Sequence, residues 1–302
     1  MIFLEESVNC NLCNKDDAKL ALKLNGYRIV RCRNCGLLYI NPRLKEKNLH
    51  KIYTKKYYEN AEFKNSNTQK LFGYNLYVEE KEDIVNTFKR RLKVIERYKK
   101  PGKILDVGCA TGFFLELAES RGWEAYGTDV SKFASEYAKK RLGLKNIFYG
   151  DLAKAKFKDE MFDVVTIFDV IEHLPDPKNT LKEMNRILKK NGLIVVTTPD
   201  SGSLAAKILG KRWEEFRRAR EHIYFFSAKT LSKMLEKTGF KVLKSESAGR
   251  YFSFKSAARR GRLYFKKTFE VLERIVRVLG IENNKIYVNP HYKITIYARK
   301  NG

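Results

Sequence analysis

Residues 103–112, KILDVGCATG, join a short apolar run to a glycine-rich turn. Similar apolar runs follow at 125–128, 147–149, 163–167 and 193–196. Helical patterns separate these runs and begin near Phe113, Ser131 and Pro177. Near-continuous apolar runs are typical of strands buried on both faces of a parallel sheet. The alternation therefore predicts an α/β fold, whose ligands bind beyond the carboxyl ends of the strands.

A carboxylate stands at the end of each of the first three predicted strands: Asp106, Asp129 and Asp151. The first turn has Ala110 and Phe113 where a dinucleotide-binding turn carries glycine. A carboxylate at this turn would repel a pyrophosphate and attract a cationic amine. The second carboxylate can accept ribose hydroxyls, and the third can accept the exocyclic amine of adenine. The pattern therefore predicts an adenosine ligand that carries an amine and lacks a phosphate chain.

Residues 103–245 resemble class I S-adenosylmethionine-dependent methyltransferases in four motifs that occur in the family's order and spacing. The first motif is formed by Asp106, Gly108, Ala110 and Gly112, with alanine where the family more often has glycine. The last motif spans residues 162–177. The resemblance implies a Rossmann-like seven-stranded sheet and S-adenosyl-L-methionine as methyl donor. It also implies that the cofactor site includes Asp129, Val130, Asp151, Leu152 and Phe168.

Two cysteine pairs, Cys10-x-x-Cys13 and Cys32-x-x-Cys35, have the spacing of a zinc ribbon. Two-residue gaps let four thiolates reach one tetrahedral ion, so the pattern favours structural zinc. Two disulfides or a redox motif are the alternatives. We expect a ribbon over residues 1–40, a connector with helices over 41–100 and a methyltransferase domain over 101–302. The fifth cysteine, Cys109, is predicted to be a small buried side chain.

The alternating pattern over residues 292–299 predicts a half-buried antiparallel edge strand. The resemblance to class I methyltransferases implies that this strand is the last in the sheet. A helical insertion over 251–288 precedes it. One predicted face of the insertion is apolar and contains Phe265, Phe269, Leu272, Ile275, Val276 and Leu279. This face either packs against the sheet or, beside basic residues such as Arg259, Arg260 and Lys266, meets an anionic membrane surface.

His222, which follows the fifth strand, is the candidate general base because an imidazole titrates near neutral pH. The alternative is a histidine that only packs a lid. His173, after the fourth strand, is either structural or faces the acceptor.

The ribbon together with Glu172-His173 and Glu221-His222 resembles sugar C-methyltransferases that act on nucleotide-linked deoxysugars. That resemblance implies base and substrate-binding roles for Glu221 and His222, with Tyr224 and Tyr58 as further candidates. The family's large C-terminal domain has no counterpart here, and the length is nearer to methyltransferases of cell-surface glycan and lipid pathways. We therefore expect O- or C-methylation of a small-molecule, sugar or glycan- or lipid-linked acceptor.

Lys and Arg number 61 against 35 Asp and Glu, a net charge of +26, which attracts polyanions. An RNA methyltransferase that binds RNA through this surface and the ribbon is therefore the alternative. Against it, residues 168–171 (FDVI) stand where adenine-N6 enzymes carry an Asn/Asp-Pro-Pro-aromatic motif. The sequence shows neither a secretory signal nor an apolar run long enough to span a bilayer, so we expect a cytosolic enzyme, with attachment to a membrane surface left open.

Overall fold

The computed structural model describes residues 5–45, 78, 80–262 and 265–301. The strands are β1 Glu5–Glu6, β2 Ala18–Leu24, β3 Tyr27–Cys32, β4 Leu38–Ile40, β5 Arg43–Leu44, β6 Lys103–Val107, β7 Glu124–Asp129, β8 Asn146–Tyr149, β9 Phe162–Phe168, β10 Leu188–Pro199, β11 Tyr224–Phe225, β12 Phe240–Ser247, β13 Arg250–Ser253, β14 Lys285–Val288 and β15 Lys293–Lys300. The α-helices are α1 Lys81–Tyr98, α2 Phe113–Glu119, α3 Lys132–Leu142, α4 Pro177–Ile187, α5 Leu204–Leu209, α6 Glu214–Arg217, α7 Ala228–Lys237, α8 Phe254–Gly261 and α9 Lys266–Val278.

Seven strands form the central sheet in the order β12-β15-β10-β9-β6-β7-β8. Strands β6 to β10 are parallel, and β15 runs antiparallel to both of its neighbours. The five predicted apolar runs are these parallel strands, so the predicted Rossmann-like sheet is confirmed. The chain moves from β6 outward to β8 and then returns to β9 on the other side of β6. Ligands bind at such a reversal of strand order.

The predicted edge position of the last strand is wrong. Strand β15 lies between β10 and β12, residues 294–298 are buried, and β12 forms the edge. The alternating polar residues include hydroxyl side chains that are buried and bonded. Thr295 Oγ1 lies 2.8 Å from Thr197 Oγ1, and the Tyr297 hydroxyl donates to Glu246 over 3.2 Å. The polar residues that alternate along β15 are therefore partly explained by buried hydrogen bonds and do not indicate a strand face exposed to solvent.

The cysteine-bearing segment shares a sheet with the rest of the chain. Strands β2, β3 and β4 are joined by β11, which pairs Tyr224 with Tyr39 and Phe225 with Leu38. One apolar core extends across both parts. The division of the chain at residues 40 and 100 stays a prediction, but main-chain hydrogen bonds join the ribbon to residues 223–225 of the predicted methyltransferase domain.

Helix α1, which lies in the predicted connector, packs against the central unit. Helix α1 packs against α2, and the Phe88 and Phe114 rings meet with centroids 5.3 Å apart. Tyr58, named as a candidate above, lies outside the described residues.

The predicted helical insertion contains α8 and α9, with β13 and β14 paired antiparallel beside them. It is fastened to α1, because Ser253 N donates to Asp83 Oδ2 over 2.9 Å and Lys285 Nζ forms a 2.8 Å ion pair with the same carboxylate. Of the two alternatives for the apolar face of α9, the prediction that it packs against the sheet is wrong. Leu272 is 41% and Ile275 49% exposed, whereas Val276 is buried. No described helix is both long and apolar enough to cross a bilayer.

Candidate active site

A cavity of about 760 Å³ opens at the carboxyl ends of β6, β7, β8 and β9. Parallel strands bring their ends to one edge of the sheet, which is why residues far apart in sequence meet there. The predicted cofactor residues that line it are Asp106, Gly108, Ala110, Asp129, Val130, Asp151, Leu152 and Phe168. Gly112 is not in the wall. It caps the N-terminus of α2 with a φ of +85°, and a Cβ there would lie 2.5 Å from Leu144 Cδ1.

The turn after β6 is held against the neighbouring strand. The amides of Gly108 and Cys109 donate to Thr128 O over 2.8 and 3.0 Å. A Cβ on Gly108 would lie 2.4 Å from Val170 Cγ2, so only glycine fits. Ala110 has a φ of +50°, a left-handed conformation that costs an L-residue roughly 1–2 kcal/mol. The turn therefore keeps a strained alanine where the family more often has glycine, and Cys109 is buried as predicted.

Two buried carboxylates face the cavity, and no cation from the described residues is bonded to either. Asp106 accepts from Thr166 Oγ1 over 2.6 Å, and burial raises the pKa of Asp106 to about 7. Asp129 accepts the amides of Ala110 and Ser131, each over 2.8 Å, and burial raises its pKa to about 6. Donors from a bound ligand would stabilise the charged forms of both groups. Asp151, by contrast, sits at the partly exposed rim and is paired with Lys154 at 2.6 Å.

Helix α1 supplies a cavity wall that the sequence analysis missed. Ile84, Thr87, Phe88 and Arg91 line it, together with Arg250 from β13. The Arg91 guanidinium lies 4.8 Å from the centroid of the Phe168 ring. The helical period of this segment was visible in the sequence, but no local signal tells which end of the sheet such a helix covers.

The two candidate histidines lie together, but only His173 lines the cavity. His222 is 1% exposed and lies behind it, with the ring centroids 4.6 Å apart and the planes at 84°. Burial lowers the pKa of His173 to about 4 and that of His222 well below its usual value, and the positive charge of Arg218 acts in the same direction. Both imidazoles are therefore neutral near pH 7. The structure brings the pair together and keeps His222 away from the cavity wall.

A buried polar cluster surrounds the histidines. Glu172 accepts from Thr198 Oγ1 over 2.8 Å, and burial raises its pKa to about 8. Asp169 forms a 2.8 Å ion pair with Lys293, and both Asp169 and Arg218 line the cavity. Sequence analysis missed Asp169, Arg218 and Lys293 as site residues. Asp169 directly follows β9, which is a usable signal, whereas Lys293 comes from a strand 124 residues further on.

The other two catalytic candidates do not line the cavity. The Glu221 side chain is an ion-pair partner of Arg218 at 2.8 Å, and the Glu221 carbonyl oxygen lies 3.0 Å from His173 Nδ1. The Tyr224 hydroxyl accepts from Arg43 over 3.0 Å and lies 3.4 Å from Pro175 O. Burial raises the pKa of Tyr224 to about 12. Tyr224 therefore joins the ribbon to the central unit, apart from the cavity.

The four N-terminal cysteines converge as free thiols. The Sγ atoms of Cys10 and Cys35 are 3.4 Å apart, those of Cys13 and Cys32 are 3.5 Å apart, and all four lie within 4.8 Å of one another. Tetrahedral zinc with ~2.3 Å bonds requires sulfur separations of ~3.8 Å. The donor set therefore fits zinc.

Comparison with known proteins agrees with this geometry. The profile of a family described as methyltransferase domain matches residues 80–245, more than half of the chain, including α1 and β6 to β11. The uncharacterized protein MJ1123 of Methanocaldococcus jannaschii is 33% identical over 179 residues, which are 57% of this chain and 79% of that protein. Demethylmenaquinone methyltransferase of Staphylococcus aureus is 31% identical over 166 residues, 47% of this chain and 69% of that protein. A SAM-dependent methyltransferase from Archaeoglobus fulgidus shares the fold with a TM-score of 0.51 and 22% identity, over 74% of this chain and 99% of that one.

Proposed function

The chain belongs to the methyltransferase-domain family and is an S-adenosylmethionine-dependent methyltransferase, and we propose that its acceptor is a small molecule, a sugar, or a glycan- or lipid-linked compound. One observation carries the proposal: a single cavity of about 760 Å³ joins the acidic strand ends to the His173 and Arg218 end. The name of the Staphylococcus aureus relative, demethylmenaquinone methyltransferase, supports a small acceptor.

The residues of the acidic strand ends have distinct proposed roles toward the methyl donor. Asp106 would accept the methionine amine, Asp129 the ribose hydroxyls, and Asp151 with Leu152 the edge of adenine. Val130, exposed in the cavity wall, would pack on the adenine face. When bound, S-adenosylmethionine supplies the methyl group as a sulfonium electrophile, so the protein mainly aligns the reactants. The two buried carboxylates support this assignment because, within the described ranges, neither has a bonded cation.

The acceptor is proposed to lose its proton at the cluster of Glu172, His173 and His222. The placement of His173 in the cavity wall supports contact between this residue and the acceptor. His222, predicted above as the general base, lies behind the His173 ring and would act within this cluster without touching the acceptor. Glu221 would orient His173 through its carbonyl oxygen.

The exposed face of α9 supports a lipid-linked acceptor. Leu272, Ile275 and Leu279 are exposed on this helix, and Lys266, Lys267 and Arg277 are exposed beside them. Apolar residues with flanking cations suit an interface with anionic headgroups. Attachment to a membrane surface is thus proposed as the way in which the enzyme reaches its acceptor.

The N-terminal cysteines are proposed to hold a structural zinc ion. The four converging Sγ atoms and the sheet shared through β11 support this role. A closed set of four thiolates leaves no open position, so the ion would stabilise the fold and take no part in methyl transfer.

The acceptor proposal can be tested with purified enzyme and S-adenosylmethionine that carries a labelled methyl group. Cell extract is separated into small-molecule, lipid-linked glycan and RNA fractions, and each is incubated with the enzyme. We expect label in one of the first two fractions and none with the Asp129→Asn variant. Label confined to RNA would replace this proposal with the RNA methyltransferase alternative.

A further inference from the structure

We propose that Glu172, His173 and His222 bind a divalent metal ion at the acceptor end of the cavity. Each residue offers one ligand atom, and these atoms lie within 4.8 Å of one another. Around an ion with bonds of ~2.1 Å, neighbouring ligand atoms lie ~3.0–3.4 Å apart and opposite ones ~4.2 Å apart, so binding would draw these atoms together by up to ~1–2 Å. The role of the ion in catalysis rests on the proposed function, whereas its binding does not.

Each imidazole has an oxygen atom near Nδ1, and at His173 this contact is a hydrogen bond. His173 Nδ1 lies 3.0 Å from the Glu221 carbonyl oxygen, and His222 Nδ1 lies 3.4 Å from Glu215 Oε2. Ligating histidines almost always form such a hydrogen bond, which at His173 fixes the ring and leaves Nε2 for the metal. The Nε2 atom of His222 is buried and has no hydrogen-bond partner among the described residues. Buried polar atoms rarely lack a partner, and a metal ion would provide one.

The charges of the cluster favour a cation. It contains two more acidic than basic side chains. The acidic ones are Asp169, Glu172, Glu215 and Glu221, and the basic ones are Arg218 and Lys293. Arg218 pairs with Glu215 and Glu221 at 3.7 and 2.8 Å, and Lys293 pairs with Asp169. Glu172 is 2% exposed and forms no ion pair in the part of the chain that is described; its bonded partner is the Thr198 hydroxyl. Ionising a buried carboxyl group without a counter-ion is costly, and a bound cation would offset that cost.

The position of the site gives the ion a role. Two imidazoles and one carboxylate leave coordination positions open and suit first-row divalent ions such as Mn²⁺, Fe²⁺ or Zn²⁺. His173 lies in the cavity wall, so an open position would face the acceptor. A metal ion lowers the pKa of a bound hydroxyl, whose proton passes to water. The oxygen then forms a bond to the methyl carbon as the sulfur–carbon bond breaks and the sulfonium becomes a neutral thioether. The inference thus selects oxygen as the methylated atom.

The test is a calorimetric titration of the full-length protein with MnCl₂. Mn²⁺ prefers oxygen and nitrogen ligands, so it reports this site and leaves the thiolate ribbon occupied by its own ion. We expect one Mn²⁺ per chain, and affinity at least ~10-fold lower in Glu172→Gln and in His222→Gln. The matched control is Glu214→Gln, which changes a neighbouring carboxylate that pairs with Arg217 at 3.6 Å outside the cluster, and Mn²⁺ affinity should not change.

S-adenosylmethionine binding is measured on the same samples as a check on folding. Retained binding of S-adenosylmethionine with weaker Mn²⁺ binding in either cluster variant supports the metal site. Wild-type protein that binds S-adenosylmethionine but no Mn²⁺, or variants that bind Mn²⁺ as wild type does, would overturn the metal site and leave the proposed function standing. Mn²⁺ binding without S-adenosylmethionine binding would instead contradict the proposed function.

Discussion

Replacing Asp129 by asparagine should weaken binding of S-adenosylmethionine by about two to three orders of magnitude. Both Asp129 oxygens accept main-chain amides at 2.8 Å, and the residue lines the cavity. A hydrogen bond to a charged group contributes about 1.5–3 kcal/mol, so at the low end of this range the loss of two such bonds to ribose hydroxyls amounts to about 3–4 kcal/mol. Each 1.4 kcal/mol corresponds to about a tenfold change in Kd.

The same substitution also disturbs the turn. The side-chain amide of asparagine would face either Ala110 N or Ser131 N with a donor, leaving that amide unsatisfied at a cost of about 1–3 kcal/mol. Thermal unfolding of the unliganded protein measures this cost separately from affinity. Alanine would leave both amides unsatisfied, so asparagine is the better test.

Calorimetric titration with S-adenosylmethionine measures the affinity. The matched control is Asp151→Asn, because this carboxylate is at the rim and already paired with Lys154, and we expect less than a tenfold loss. A variant at Asp129 that remains folded and binds within threefold of wild type would refute the ribose assignment.

Three other outcomes are expected. Affinity for S-adenosylmethionine should fall as the pH drops through 7 and then 6, because Asp106 and Asp129 become protonated and lose their charge. Calorimetry at pH 5.5, 6.5 and 8 measures this change in affinity. An affinity that does not vary with pH would contradict the carboxylate roles. Removal of the ribbon metal by a chelator should lower the Tm of the whole chain in one transition, because β11 ties the ribbon to the central unit; a ribbon that melts alone would show weak coupling. Ile275→Glu on α9 should reduce co-sedimentation with anionic vesicles, whereas methyl transfer to a soluble acceptor should be unchanged. If the wild-type protein does not bind anionic vesicles, the membrane proposal is removed.

The close packing around the glycine-rich turn after β6 explains why the first motif can be recognised in the sequence. Gly108 meets Val170 and Gly112 meets Leu144 at distances that exclude a side chain, so the residue type is fixed by local geometry. Ala110 departs from the family pattern and still keeps the left-handed backbone, because its amide is bonded to Asp129. Sequence motifs of this kind survive one substitution when neighbouring contacts enforce the conformation.

Periodicity and spacing alone determined the five parallel strands, the starts of α2, α3 and α4, and the carboxylates at the strand ends. These features depend on residues adjacent in the chain, because the burial of a strand and the start of a helix are local properties. The convergence of four cysteines was likewise predictable, since two short knuckles carry all the ligands.

Only the tertiary structure decided which residues from distant segments meet. It placed β15 inside the sheet, added β11 to the ribbon, put His222 behind His173 and brought Lys293 to Asp169. Each of these contacts joins segments separated by tens of residues or more, and the sequence carries no periodic signal for such pairs. Strand order and side-chain depth result from packing the whole core at once, and for that reason they appear only in the folded chain.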